Sequence, residues 1–107
     1  MLEISPAKVV RVIALEREFG PDATRLYDFI AGLNEDEQAS LVALMWIGRE
    51  SFEADDLEEA IATARTEATA PTPDYLSGIP ALAEHLESGM EALGIDVTEE
   101  EDDIHGR

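Results

Sequence analysis

The stretch from Leu41 to Arg49 constrains the fold strongly, because it presents no polar face before its final arginine. A helix that is apolar all round has to be enclosed by other elements. The residues before it predict where this helix begins. Asn34 is a favoured N-cap, three acids follow it in the first turn, and Glu37 stands at the capping-box position. We therefore expect a central helix that other helices surround.

Apolar residues at helical spacing predict two helices before the central one. Ser5 as N-cap and Pro6 at the first helical position predict a helix over about residues 6–18. A second, shorter helix is expected to begin near Asp22 and to end at Gly32. Both carry apolar stripes that could cover the central helix.

A fourth helix is predicted to open with the acidic residues of Ser51–Asp56, which suit a helix N-terminus. Its apolar stripe is modest and consists of Leu57, Ala60, Ile61 and Ala64. The prolines of Thr69–Pro73 lack N–H donors and bias the residues before them towards extended geometry. We therefore expect a connector there, followed by a turn over Asp74–Gly78.

The last helix is predicted to start at Pro80 and to stop at Gly94, a favoured left-handed cap. Ile95 could then contact Met90 in a Schellman arrangement. The buried stripe of this helix is Leu82, Leu86, Met90 and Leu93. The alternating pattern of a β-strand is missing throughout, so the predicted fold is an all-α, compact bundle of about five helices.

Composition predicts the boundary between the folded domain and the tail. Residues 1–95 are expected to form a single helical domain, since the chain is too short to build two cores. Residues 96–107 contain five consecutive acids and little to bury, which predicts a flexible, disordered acidic tail.

The net charge of −18 excludes several kinds of partner. Such a chain repels phosphate backbones and anionic lipid head groups, so direct nucleic-acid or membrane binding is not expected. No apolar run approaches the roughly 20 residues that span a bilayer, and we recognise no secretory signal, so we expect a cytoplasmic protein. The acidity is uneven: residues 1–34 carry five acids and four bases, whereas residues 35–95 carry fourteen and two.

Catalytic and metal sites find little support. The chain has no cysteine, and neither acidic cluster has the ligand order of a calcium-binding EF-hand loop. The Glu-x-x-His pattern of di-iron bundles is absent because Leu82 stands three residues before His85. His85 could face a groove as an acid or base or as a ligand-binding residue, but a surface or half-buried histidine is the simpler interpretation. His105 lies in the predicted tail. We expect no metal, no cofactor and no catalytic residue.

Two segments resemble a known family. They are the string Leu-Val-Ala-Leu-Met-Trp-Ile-Gly-Arg of residues 41–49 and the segment from Tyr75 to Gly94, which includes Ser-Gly-Ile-Pro-Ala-Leu-Ala-Glu-His-Leu-Glu-Ser-Gly-Met. Together they resemble a family of small, all-helical bacterial proteins of unknown function, over about residues 34–94. An aromatic residue is the more usual occupant of the family pattern where His85 stands. The resemblance implies no activity.

Trp46, Arg49 and Tyr75 form the one constellation that suggests a ligand. Arg49 is the only cation between Arg25 and Arg65, so it could hold an anionic ligand or a carboxylate of a partner. The structural alternative is that the aromatics belong to the core, that Arg49 stabilises a helix C-terminus, and that Gly48 permits close helix packing.

Three functions stay open on the sequence. The leading hypothesis is a non-enzymatic interaction or regulatory module whose charge attracts a basic protein partner. The alternative is a small anionic-ligand binder or enzyme with its site near Trp46, Arg49 and Tyr75. A third is a homodimer that buries apolar surface left uncovered on the central helix.

Overall fold

The computed structural model of the chain describes residues 2–20, 23–67 and 70–95, and within them every regular element is helical. The α-helices are α1 Pro6–Phe19, α2 Thr24–Ala31, α3 Glu35–Gly48, α4 Leu57–Thr66, α5 Thr72–Ser77 and α6 Leu82–Ala92, with a short 3-10 turn at Ala54–Asp56. The predicted all-α fold is confirmed. The predictions for Asp22, Thr69 and the tail 96–107 fall outside the described residues.

Local capping sets the ends of α1 as its sequence predicts. The Ser5 hydroxyl accepts a hydrogen bond from the backbone N–H of Lys8 at 3.2 Å, and Pro6 occupies the first turn. The helix ends before Gly20, whose φ of 94° lies in the region that favours glycine. One face of α1 enters the core, with Val9 and Val12 fully buried, and packs on α2 and α6.

The central helix is α3, and its capping box is present. The Asn34 side chain accepts from the Glu37 N–H at 2.7 Å, and the Glu37 carboxylate accepts from the Asn34 N–H at 3.0 Å. Leu41 and Leu44 are fully buried, and α3 packs against α4, α5 and α6. The prediction of an enclosed central helix is confirmed. The homodimer hypothesis stays a prediction.

The segment after α4 differs from its prediction. Thr72–Ser77 was expected to belong to a connector and a turn, but it forms α5. Pro71 is its N-cap and Pro73 stands in the first turn, where a missing N–H breaks no helical hydrogen bond. The Ser77 hydroxyl donates a hydrogen bond to the Pro73 carbonyl at 2.7 Å, which links the two ends of this short helix. Two prolines therefore start a helix here instead of preventing one.

The last helix begins two residues later than predicted and ends as predicted. It begins at Leu82 because Ala81 adopts a left-handed φ of 56°, which interrupts the helix after Pro80. At its C-terminus, the Ile95 N–H donates to the Met90 carbonyl at 2.8 Å, and Gly94 has a φ of 81°. This is the predicted Schellman motif.

Two glycines set the distance between α3 and α6. A Cβ on Gly48 would lie 1.7 Å from the His85 carbonyl oxygen, and a Cβ on Gly89 would lie 2.4 Å from the Leu44 carbonyl oxygen. Real Cβ atoms do not approach backbone so closely, so both positions require glycine. The close-packing interpretation of Gly48 is confirmed.

Candidate functional site

A cavity of about 530 Å³ opens between α3, α4 and α5. Its floor is formed by apolar side chains of α3 and α4 together with the two aromatic residues described below, and its rim is polar. The lining residues are Glu35, Asp36, Gln38, Ala39, Val42, Trp46, Ala64, Arg65, Glu67, Ala70, Pro71, Thr72 and Tyr75. The volume falls within the range of about 300–1,000 Å³ typical of small-molecule sites.

Trp46 and Tyr75 meet in this cavity. The indole N–H of Trp46, on α3, donates a hydrogen bond to the hydroxyl oxygen of Tyr75, on α5, at 3.0 Å. Phe52 stacks on Trp46 with ring centroids 5.6 Å apart and an interplanar angle of 23°. Phe52 does not line the cavity, so the cavity contacts the part of the indole that Phe52 leaves free. Both aromatic side chains are half-buried, and each is held by a specific contact.

Arg49 and His85 lie outside the cavity lining. Arg49 is the exposed C-cap residue of α3, where a cation stabilises the negative end of the helix dipole. His85 is half-buried on α6, and its backbone carbonyl is the group that Gly48 approaches. The structure therefore brings together two of the four residues predicted as ligand-binding, Trp46 and Tyr75. A binding role for any of the four stays a prediction.

The charge of the lining is negative. Glu35, Asp36 and Glu67 contribute carboxylates, and among the residues that the structure describes Arg65 is the only cation of the lining. The Arg65 guanidinium donates to the Asp36 carboxylate and lies 3.8 Å from a carboxylate oxygen of Glu3. Its charge is thus already shared between two acids. Electrostatics therefore favours a cation in this cavity over the anion that Arg49 suggested.

Arg65 and Glu67 were missed as site residues in the sequence, although a signal for them exists. Helices joined by a short connection run antiparallel, which brings the end of the second beside the start of the first. The acids that open α3 therefore meet Arg65 and Glu67 at the end of α4. Their meeting depends on the rotation of each helix about its axis, which the apolar stripe of α4 defines only coarsely.

A surface contact joins α2 to α5, the helix that carries Tyr75. The Tyr27 phenol of α2 donates to the Asp74 carboxylate, and this bond, with partial desolvation and the negative charges of Asp74 and Asp28, raises the pKa of Tyr27. The pair joins α2 to α5 beside the packing contact between the two helices. It helps to hold the tyrosine side of the cavity in place.

At the start of α3 a second surface contact has the opposite effect on a pKa. Hydrogen bonds from the Lys8 ammonium and from the Asn34 backbone lower the pKa of the Glu37 carboxyl. This contact ties α1 to α3 next to the acids that line the cavity.

Comparison with known proteins identifies a family but no activity. Of the described helices, none is long and apolar enough to cross a bilayer. No curated protein and no solved structure matches the chain. The family described as protein of unknown function (DUF3775) matches residues 23–95, which comprise α2 to α6 together with the cavity and both aromatic residues. The chain therefore belongs to the DUF3775 family.

Proposed function

We propose that this protein is a non-enzymatic interaction module that binds a basic segment of a protein partner. The observation that supports this most is the cavity between α3, α4 and α5, whose lining contains both an aromatic pair and three carboxylates. We place this activity in the cytoplasm, the compartment expected from the sequence.

The charge distribution supports the proposal. The chain carries 25 acidic and 7 basic residues, and the acids are concentrated after residue 34. Several cations already have internal partners. Lys8 pairs with Glu37, Arg17 makes two hydrogen bonds to Glu87 at 2.8 and 2.6 Å, and Arg25 lies 4.8 Å from the ring centroid of Phe19. The surface that faces an approaching partner is thus dominated by carboxylates, which attract a basic segment and accelerate its association.

The lining also resembles a binding surface more than a catalytic centre. It contains carboxylates, an arginine paired with a carboxylate, and aromatic rings, whereas His85 lies elsewhere on α6. The usual pairing of a nucleophile with an adjacent base is not found among the described lining residues. Aromatic rings with a fixed orientation and a charged rim are instead typical of the centre of an interaction surface.

A titration with defined peptides tests the proposal. Short fluorescein-labelled peptides of arginine, lysine, glycine and serine are expected to bind the full chain, as measured by fluorescence anisotropy, whereas acidic peptides of equal length are not. Raising the salt from about 0.1 M to about 1 M shortens the Debye length from about 10 Å to about 3 Å and should weaken binding strongly. If basic and acidic peptides bind equally, or neither binds at low salt, the proposal is wrong.

The second candidate is a small-ligand binder or enzyme with its site at Trp46 and Tyr75, and the volume of the cavity favours it. In its sequence-based form this candidate holds an anion on Arg49. The carboxylates of the lining repel an anion, and Arg49 lies outside the lining. A thermal-shift screen with anionic and cationic metabolites separates the two candidates. Stabilisation by an anion that Arg49→Ala abolishes would favour the small-ligand candidate over the basic partner.

A further inference from the structure

We propose that the cavity between α3, α4 and α5 receives an arginine side chain of the basic partner, with its guanidinium against the Trp46–Tyr75 pair, while Glu35, Asp36 and Glu67 of the same lining attract its charge without contacting it. This inference rests on the proposed function and specifies the site and the side chain. It assigns a ligand class to a cavity within the part of the chain that defines the DUF3775 family.

The shape of the cavity suits a long, slender side chain. At about 530 Å³ it has room for an arginine and part of its backbone. Its apolar floor includes Ala39, Val42 and Ala64, which could cover the methylene stem while the charged head lies against the aromatic pair. The occupant is therefore expected to enter with its backbone outside and its side chain directed inward.

The aromatic pair offers a prepared surface for a cation. The hydrogen bond from Trp46 to Tyr75 and the stack of Phe52 on the indole fix the orientation of the ring before any ligand arrives. A guanidinium over a fixed indole gains cation–π attraction and loses little side-chain entropy on the protein side.

Arg65 shows that the wall of the cavity already accommodates a guanidinium. Its head group lies between the carboxylates of Asp36 and Glu3 and remains about half exposed. Glu35 and Glu67 line the same cavity, and both are exposed. Stacking on a fixed ring suits the planar guanidinium of a second arginine, while an ammonium would interact as a point charge. This difference favours arginine over lysine.

The experiment compares three peptides that differ at one position, which holds arginine, lysine or the neutral isostere citrulline. Trp46 is the only tryptophan of the chain, so its emission reports directly from the cavity. The arginine peptide is expected to change that emission and to bind about threefold to tenfold more tightly than the citrulline peptide. Lysine is expected to fall between them. Equal affinity of the arginine and citrulline peptides would overturn the inference.

Matched variants locate the site. Glu67→Gln is expected to weaken binding of the arginine peptide about twofold to fivefold. Glu91→Gln removes the same charge at an exposed position of α6, outside the cavity, and should have a smaller effect. Arg65→Gln frees Asp36 and should tighten binding more than Arg49→Gln, which removes the same charge outside the cavity. Trp46→Phe should weaken binding by about threefold, read by anisotropy.

The outcomes separate this inference from the proposed function. If basic peptides fail to bind the unmodified chain, the proposed function is wrong and the inference fails with it. If they bind, but Glu67→Gln behaves like Glu91→Gln and Arg65→Gln behaves like Arg49→Gln, the inference alone is wrong. Circular dichroism of each variant checks that it is folded, and both Glu67 and Glu91 are exposed, so neither substitution disturbs the core.

Discussion

On one face of α3, Leu44 and Gly48 lie so close to α6 that no Cβ fits at Gly48 or at Gly89. On the opposite face, about half a turn away at 3.6 residues per turn, Val42 and Trp46 line an open cavity against α4 and α5. A helix that is apolar all round in sequence therefore has one face that is fully packed and one that is not. Gly48 permits the close approach on the first face, whereas the second face borders a cavity.

Substitution at the close crossing is expected to have the largest effect. Gly89→Ala places a methyl group 2.4 Å from the Leu44 carbonyl oxygen, so α3 and α6 must move apart. We expect a loss of about 3 kcal/mol or more in the free energy of unfolding, measured by urea denaturation. Gly78→Ala is the control, because its Cβ would meet nothing closer than 3.7 Å and should change stability by less than about 1 kcal/mol. A tolerated Gly89→Ala would show that this face is as adaptable as the other.

Substitution on the cavity face is expected to cost less. Tyr75→Phe removes the acceptor of the Trp46 indole N–H, and we expect a loss of about 1 kcal/mol in the free energy of unfolding. Trp46→Phe removes the donor and some ring area, for a loss of about 1–2 kcal/mol. The double variant should cost less than the sum, because both changes remove the same hydrogen bond. Strict additivity would mean that the bond contributes nothing.

A small gain in stability is expected from a substitution at Glu50, just after the C-terminus of α3. Glu50 adopts a left-handed φ of 69° while its N–H donates to the Ile47 carbonyl and the Ser51 N–H donates to the Trp46 carbonyl, a Schellman motif without glycine. Glu50→Gly relieves this strain and should raise the free energy of unfolding by up to about 1 kcal/mol. Glu50→Gln removes only the charge and should give a smaller gain. If both variants gain equally, charge rather than backbone strain explains the effect.

The smallest effect concerns the surface bond that holds α5. The folded-state pKa of Tyr27 is raised above its unfolded value, so the stabilisation by its bond to Asp74 is complete below about pH 10 and is lost as the pH rises through the folded pKa. Between about pH 9 and pH 12, the unmodified chain should lose stability relative to Tyr27→Phe, as measured by urea denaturation at each pH. Parallel pH profiles for the two proteins would contradict this expectation.

The sequence predicts those parts of the structure that depend on neighbouring residues. The capping box at Asn34, the enclosed helix after it and the Schellman motif at Gly94 are all confirmed. The helix α5 was missed because Pro71 and Pro73 were interpreted as ending a helix, whereas they occupy its N-cap and first turn, much as Pro6 does in α1. The left-handed Ala81 has no sequence signal, since alanine favours a helix there.

The candidate site was predictable only in part. Trp46 and Tyr75 were grouped by sequence and do meet. Arg49 and Arg65 look equivalent as isolated cations in an acidic stretch, and only the packing of α4 on α3 places Arg65 in the cavity while Arg49 caps a helix. Long-range packing decides which cation belongs to the site, and residue spacing does not carry that information.

Helix α1 lies outside the segment that matches the family, yet it contributes to the core. The family match begins at residue 23, after α1, yet Val9 and Val12 of α1 are fully buried and the helix packs on α2 and α6. A fragment cut at the family boundary would expose the apolar surface that α1 covers and would lose the ion pairs of Lys8 and Arg17 with Glu37 and Glu87. Any recombinant version meant for crystallisation or partner screening should therefore keep the first helix, because the segment that matches the family is shorter than the packed domain.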